Sequence, residues 1–196
     1  ELSEFLQAEK QNRRRFYDQL REDQKAEFIN GEIILHSPVK LEHVGATTNL
    51  VKLLSTYVEV HELGFVGNEK MLVSLTRNDY EPDICFFATA KAARFKPDQM
   101  KFPAPDVAGE VLSPSTEKND RTIKFEDYAA HKVGEYWIVD PRKKTIEQYL
   151  LAGSAAEPAY ELAAKVKDGT IKSRAIRGLE LHAKAAFDSA AILPAL

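Results

Sequence analysis

The chain has 196 residues, 44% of them hydrophobic and 29% charged, which suits one compact domain with a sizeable core. Its formal charge is −3, from 27 basic and 30 acidic residues, which excludes a generally basic nucleic-acid binder; a polyanion would have to meet a local patch or a bound divalent cation. Cys85 is the only cysteine, so no intrachain disulfide can form, and no apolar run is long enough to span a bilayer. The first residues are polar, without a signal-peptide core, and the chain starts at Glu1 rather than Met; a trimmed start and a cytoplasmic location are expected, with no membrane partner.

Residues 3–20 are polar and helix-compatible and carry Arg13-Arg14-Arg15. Ala26 to Leu35 reads as a β-hairpin, because Asn30-Gly31 supplies two residues that accept positive φ between apolar segments. Val44, Thr47, Leu50, Val51, Leu54, Tyr57 and Val58 recur every three or four residues, which predicts an amphipathic helix from Leu41 to His61, stopped by Gly64. Short apolar runs follow at 65–67 and 71–75, then a turn at Arg77-Asn78-Asp79. Two buried-type strands come next, Tyr80 to Phe87 and Pro105 to Leu112, with a loop and a short helix between them over 89–104. The second strand ends at Ser113-Pro114-Ser115. Asn119 or Asp120 can cap one helix running through Lys124 and Tyr128 to His131, ended by Gly134. Glu135 to Pro141 is a further buried strand, and antiparallel strands follow at 145–150, 160–163 and from Ile171, after an Asp168-Gly169 turn. Hairpins combined with one strand–helix–strand unit predict an α/β (α+β) fold: a mixed β-sheet flanked by helices, with an N-terminal hairpin and C-terminal antiparallel strands.

Two acids stand out against this pattern. Asp83 and Glu110 lie in apolar runs where an ionised carboxylate is costly without a partner or a cation. They fall on consecutive expected strands, and neighbouring strands are about 4.7–4.9 Å apart, so two such carboxylates on one face can share a metal ion. An oxygen-rich site suits Mg²⁺ or Mn²⁺, with the Val111 carbonyl as a further ligand. Lys124 is the third member. It lies near a helix N-terminus, where a cation opposes the macrodipole, and at roughly the height of Glu110 if the helix folds back across the sheet. There its ammonium could orient an attacking water or steady the charge on a scissile phosphate, helped by Tyr128 one turn later.

The segments Glu81-Pro82-Asp83, Pro105 to Thr116 and Glu135 to Pro141, with the Asn30-Gly31-Glu32 hairpin and His43, resemble the hallmarks of the Uma family. These restriction-endonuclease-like proteins, long catalogued as a domain of unknown function, belong to the PD-(D/E)XK nuclease superfamily. The resemblance covers roughly residues 25–150 and implies a restriction-endonuclease-like core, Mg²⁺ dependence and hydrolysis of nucleic-acid phosphodiesters, with DNA the first substrate to consider. Pro82-Asp83 would supply the first half of the motif and Glu110 the second acid. Leu112 departs from the general pattern, which has lysine two residues after the second acid; Lys124 is the matching residue on the following helix. The resemblance makes Glu32 and His43 further site candidates and raises homodimerisation by analogy. One domain, 1–196, is expected: an N-terminal helical segment (1–24), the nuclease-like core (25–150) and a C-terminal β extension (151–196).

Simpler readings stand beside these. Pro82-Asp83 can merely open a strand, and a structural Glu110–Lys124 ion pair would satisfy the acid equally well. Glu32 can be an exposed hairpin charge and His43 a solvated or capping residue on the first helical turn, though His43 could also contact phosphate or relay a proton. Ser113, Ser115, Thr116 and Asp140 read as turn and cap residues, Cys85 as a packed side chain, and the short basic runs as solvated surface. The sequence thus supports a metal-dependent endonuclease, with a non-catalytic nucleic-acid-binding or protein-interaction module of the same fold as the alternative.

Overall fold

The computed structural model describes residues 2–21 and 23–192. Helix α1 (Leu2–Gln19) leads to the hairpin β1 (Ala26–Ile29) and β2 (Glu32–Leu35). Asn30 and Gly31 turn it with φ of 51° and 88°, the double positive φ that asparagine tolerates and that glycine, without a Cβ, adopts freely. Helix α2 (Leu41–Val60) buries Ala46, Leu50, Leu53, Leu54 and Val58 at the expected three- and four-residue spacing, while Val44 is exposed. Next come β3 (Gly64–Asn68), β4 (Leu72–Ser74), β5 (Asp79–Tyr80), β6 (Ile84–Ala88), the short α3 (Thr89–Ala92), β7 (Lys101–Phe102) and β8 (Val107–Val111). Helices α4 (Glu117–Arg121) and α5 (Ile123–Ala130) precede β9 (Glu135–Asp140), β10 (Thr145–Gly153), β11 (Pro158–Val166), β12 (Thr170–Lys172), β13 (Glu180–His182) and α6 (Lys184–Phe187).

The main sheet has six strands in the order β11-β10-β9-β8-β6-β3, antiparallel except for the β8–β9 pair. The N-terminal hairpin belongs to a separate five-stranded sheet, β2-β1-β5-β4-β7. Strand β7 lies between β6 and β8 in sequence but pairs with β4, which leaves β6 and β8 adjacent.

Alternation along the strands splits the core in two. Ile84, Phe86, Val107 and Val111 pack with Leu50, Leu54 and Val58 of α2. Cys85, Phe87, Ala108 and Leu112 pack with Tyr128 and Ala129 of α5 on the other face. Fully burying each such aliphatic or aromatic side chain contributes roughly 1.5–3 kcal/mol before entropy is counted, so both helices are clamped to the sheet.

The single helix expected from Asn119 or Asp120 to His131 is divided at Thr122. The Thr122 hydroxyl donates to the Lys118 carbonyl at 2.7 Å, local bonding that bends a helix and here lets α5 start in a new direction. Lys124 therefore sits in the first turn of α5. The segment after 150 is strand as expected as far as His182, then ends in α6 and a 3₁₀ turn at Ser189–Ala191.

Candidate active site

Strands β6 and β8 pair with Ile84 opposite Gly109 and Cys85 opposite Ala108. Asp83 stands in the bend just before β6 and Glu110 lies in β8, directed to Lys124 and Tyr128 of α5. Pro82 precedes the strand, so the chain can enter β6 there without a ladder donor. Asp83 Oδ1 accepts from Lys25 Nζ at 2.7 Å and Oδ2 from the Val111 backbone N–H at 2.8 Å, while His43 Nε2 lies 3.3 Å from Oδ2. Glu110 Oε1 accepts from Lys124 Nζ at 3.1 Å and from the Tyr128 hydroxyl at 3.2 Å. Asp83 and Glu110 line one cavity of about 250 Å³ together with Lys25, His36, His43 and Lys124.

Lys124 is 2% exposed and lies between three carboxylates: Glu27 at 2.9 Å, Glu110 at 3.1 Å and Asp120 at 3.3 Å. Glu27 also takes His36 Nε2 at 3.0 Å and the Glu81 backbone N–H at 2.9 Å. Four carboxylates (Glu27, Asp83, Glu110, Asp120) thus share two ammonium groups, Lys25 and Lys124. The titration behaviour follows from this crowding. Burial disfavours the charge on Glu27 and Asp83, yet Lys124 and His36 hold Glu27 at about 2, and His43 and Lys25 hold Asp83 well below the usual range. Burial drives Glu110 well above it, and the negative charges of Asp120, Asp83 and Glu27 add to that despite Lys124. Burial likewise raises Asp120. Both lysines, although desolvated, are held above the ordinary lysine value by the acids they face.

The donor set fits a hard divalent cation. Among the described residues no three His, Cys, Asp or Glu side chains converge as an all-protein metal cage. Mg²⁺ does not need one, since it commonly takes one or two carboxylates and fills its shell with water and substrate phosphate. Asp83 and Glu110, two buried carboxylates lining one cavity, could hold such an ion, in a cluster of four acids whose partners are two lysines and two histidines.

Of the residues singled out from sequence, Asp83, Glu110, Val111, Lys124, Tyr128 and His43 meet here. His43 is not solvated: it is 6% exposed, with Nε2 toward Asp83 and Nδ1 without a hydrogen-bond partner among the described residues. Glu32 is not brought in; it is exposed at the turn end of β2, opposite Ile29. The hairpin acid at the site is Glu27, on the other strand and at the other end. Its isolation between Ala26 and Phe28 in a buried strand was a readable signal. Lys25, His36 and Asp120 also enter from outside the expected set, and only the fold brings them in. Ser113 bonds to Ser115 and Thr116 at 3.0 Å each, as turn residues do, and Ser113 and Thr116 also line the cavity. Asp140 caps the turn after β9 by accepting from the Arg142 and Lys143 backbones. Cys85 is packed, and burial pushes its thiol up to about 12, which leaves it inert. The basic runs are partly committed within the protein: Arg13 holds Asp79 at 2.6 Å and Arg142 holds Glu117 at 2.8 Å.

Residues 4–184 match the model of the Uma2 family, described as "Putative restriction endonuclease". The chain belongs to the Uma2 family. A curated relative, the uncharacterised protein sll1609 of Synechocystis sp., is 29% identical over 155 residues, covering 77% of this chain and 80% of that protein. A crystal structure from Anabaena variabilis, titled as a "putative nuclease belonging to DUF820", superposes with a TM-score of 0.73 at 20% identity, over 88% of this chain and 94% of that one. At that identity the likeness establishes the fold, and it is the mixed α/β architecture described above. Among the described residues of this Uma2 chain no helix is long and apolar enough to cross a membrane.

Proposed function

We propose that this Uma2 protein is a divalent-metal-dependent endonuclease that hydrolyses nucleic-acid phosphodiesters, DNA foremost. The observation that carries the reading is the pair of buried carboxylates, Asp83 and Glu110, lining one cavity beside the ammonium groups of Lys25 and Lys124. Asp83, Glu110 and the Val111 carbonyl would hold Mg²⁺ or Mn²⁺. When bound, that ion would lower the pKa of a water and polarise the phosphate.

The protein's own groups set the geometry. Lys124 and Tyr128 fix the Glu110 carboxylate from the α5 side, and Lys124 positions the attacking water through that carboxylate. The Val111 N–H and His43 fix Asp83 Oδ2, while Oδ1 accepts from Lys25. The surrounding core keeps the acids out of bulk water, where their interactions with a cation would be weakened.

The test is cleavage of plasmid and oligonucleotide substrates with Mg²⁺ or Mn²⁺, beside the same reactions in chelator and with Glu110→Ala. Cleavage that needs the ion and Glu110 supports the assignment; equal cleavage by both proteins removes it. The mutual satisfaction of Lys124 and its three acids favours a second reading, a binding module of nuclease fold. That module would bind nucleic acid with an affinity indifferent to Mg²⁺.

A further inference from the structure

A phosphodiester entering the cavity needs a cationic contact from the protein, and Lys124 has none to spare. An ammonium carries three N–H donors, and Lys124 has a carboxylate within 3.3 Å for each of them. Its 2% exposure encloses it further. His36 is held by Glu27. Arg13, Arg77, Arg121 and Arg142 are engaged by Asp79, Glu9, Glu147 and Glu117.

Lys25 differs on each count. Its side chain is 20% exposed and lines the cavity, and its Nζ contacts Asp83 Oδ1 at 2.7 Å. Its backbone is fixed at the base of the hairpin, where its carbonyl accepts from the His36 N–H at 3.0 Å and the next residue, Ala26, donates to Glu81 at 3.0 Å. A fixed root with a flexible four-carbon stem lets the ammonium swing without moving the fold. A divalent ion taken up by Asp83 would repel an ammonium on that same carboxylate, and the entering phosphodiester brings the negative charge to receive it.

We propose that Lys25 is the substrate-facing lysine of this site: it guards Asp83 before the divalent ion arrives, then turns to a non-bridging oxygen of the bound phosphodiester. This rests on the nuclease reading above. It gives the hairpin a part in the chemistry and divides the lysine role in two, with Lys124 setting the acid and Lys25 touching substrate.

The experiment compares wild type, Lys25→Met and Lys25→Arg in three assays, after thermal melts confirm that each variant folds. Mn²⁺ affinity is measured by calorimetry, the affinity of a fluorescent duplex oligonucleotide in Ca²⁺ is followed against salt, and plasmid nicking is followed in Mg²⁺. In Lys25→Met, Mn²⁺ binds about tenfold more tightly, since a competing cation worth about one partly buried ion pair is gone. The slope of log affinity against log salt shrinks by about 0.9, the signature of one lost phosphate contact. Nicking falls about 100-fold or more. Lys25→Arg restores the salt slope. Mn²⁺ affinity that falls in Lys25→Met, or a salt slope and nicking rate that do not change, overturns the proposal and leaves Lys25 a structural counter-ion, while wild-type nicking and Mn²⁺ uptake keep the nuclease reading intact. A wild type that neither takes up Mn²⁺ nor nicks plasmid removes that reading and the handover with it.

Discussion

Replacing Lys124 with methionine puts an uncharged side chain of similar length between Glu27, Glu110 and Asp120, which lie 2.9, 3.1 and 3.3 Å from the ammonium. The cavity left is small, so the cost is electrostatic: three desolvated acids lose the cation they share. Breaking one buried pair costs about 3–5 kcal/mol, because the partner stays behind uncompensated. With a urea m-value of about 2 kcal/mol/M, the unfolding midpoint at pH 8 should drop by roughly 1.5–2.5 M. The stranded acids then have folded pKa values above their unfolded ones, so the folded variant binds more protons than the unfolded chain and its stability falls as pH rises. Glu110, already driven well above the ordinary range, would be the first to take up a proton. The gap to wild type should therefore be clearly smaller at pH 5 than at pH 8. Urea melts at the two pH values measure this directly. A midpoint shift below about 0.5 M at pH 8, or the same gap at pH 5, would refute the claim that Lys124 is the shared counter-ion of this cluster.

Glu135 is buried and accepts from Trp137 Nε1, Gln148 Nε2, Ser173 Oγ and the backbone N–H groups of Arg174 and Ala175, so it ties the 173–175 segment to the main sheet. Glu135→Ala leaves several buried donors unpaired and should destabilise by about 3 kcal/mol, with hydrogen exchange rising first in β12 and β13; uniform protection would contradict this. Glu147 is held at about 2, against a reference of 4.5, by Arg121, Lys165 and Tyr149 working against its burial. A depressed folded pKa gives stability that is present above the unfolded value and is lost as pH falls through the folded one. Between about pH 5 and 2 wild type should therefore lose roughly 1 kcal/mol more than Glu147→Gln, after allowance for solvent screening. Parallel acid melts of the two proteins would sink this.

What the sequence shows best is what depends on local period and turn chemistry. The Asn30-Gly31 hairpin, the stripe of α2 and the strand carrying Glu110 formed where pattern places them, whereas the run expected as one strand from Tyr80 to Phe87 is divided between β5 and β6, in different sheets, with Asp83 in the bend just before β6. The acids were legible because a carboxylate in a hydrophobic run is an anomaly visible without coordinates. Glu27 carried the same anomaly in a four-residue strand, too short to weigh beside its exposed neighbour Glu32. Lys25 carried none: in Asp23-Gln24-Lys25 it looks like any solvated loop residue, and only the placement of the hairpin base beside β6 makes it a partner of Asp83. A first-turn place suggests a solvated or capping His43, and only the family resemblance points it to the site, where long-range packing buries it beside Asp83. The break at Thr122 hides in one hydroxyl bonding back to Lys118, which residue spacing does not show.

The central claim is that Asp83 and Glu110 together hold one divalent ion. Calorimetric titration of Mn²⁺ into wild type, Asp83→Asn and Glu110→Gln tests it most directly, with folding checked by thermal melts. The expected result is one site per chain in wild type, weakened at least about 30-fold (about 2 kcal/mol) in either variant. Full-affinity Mn²⁺ binding in both variants, or no binding in folded wild type, would contradict it.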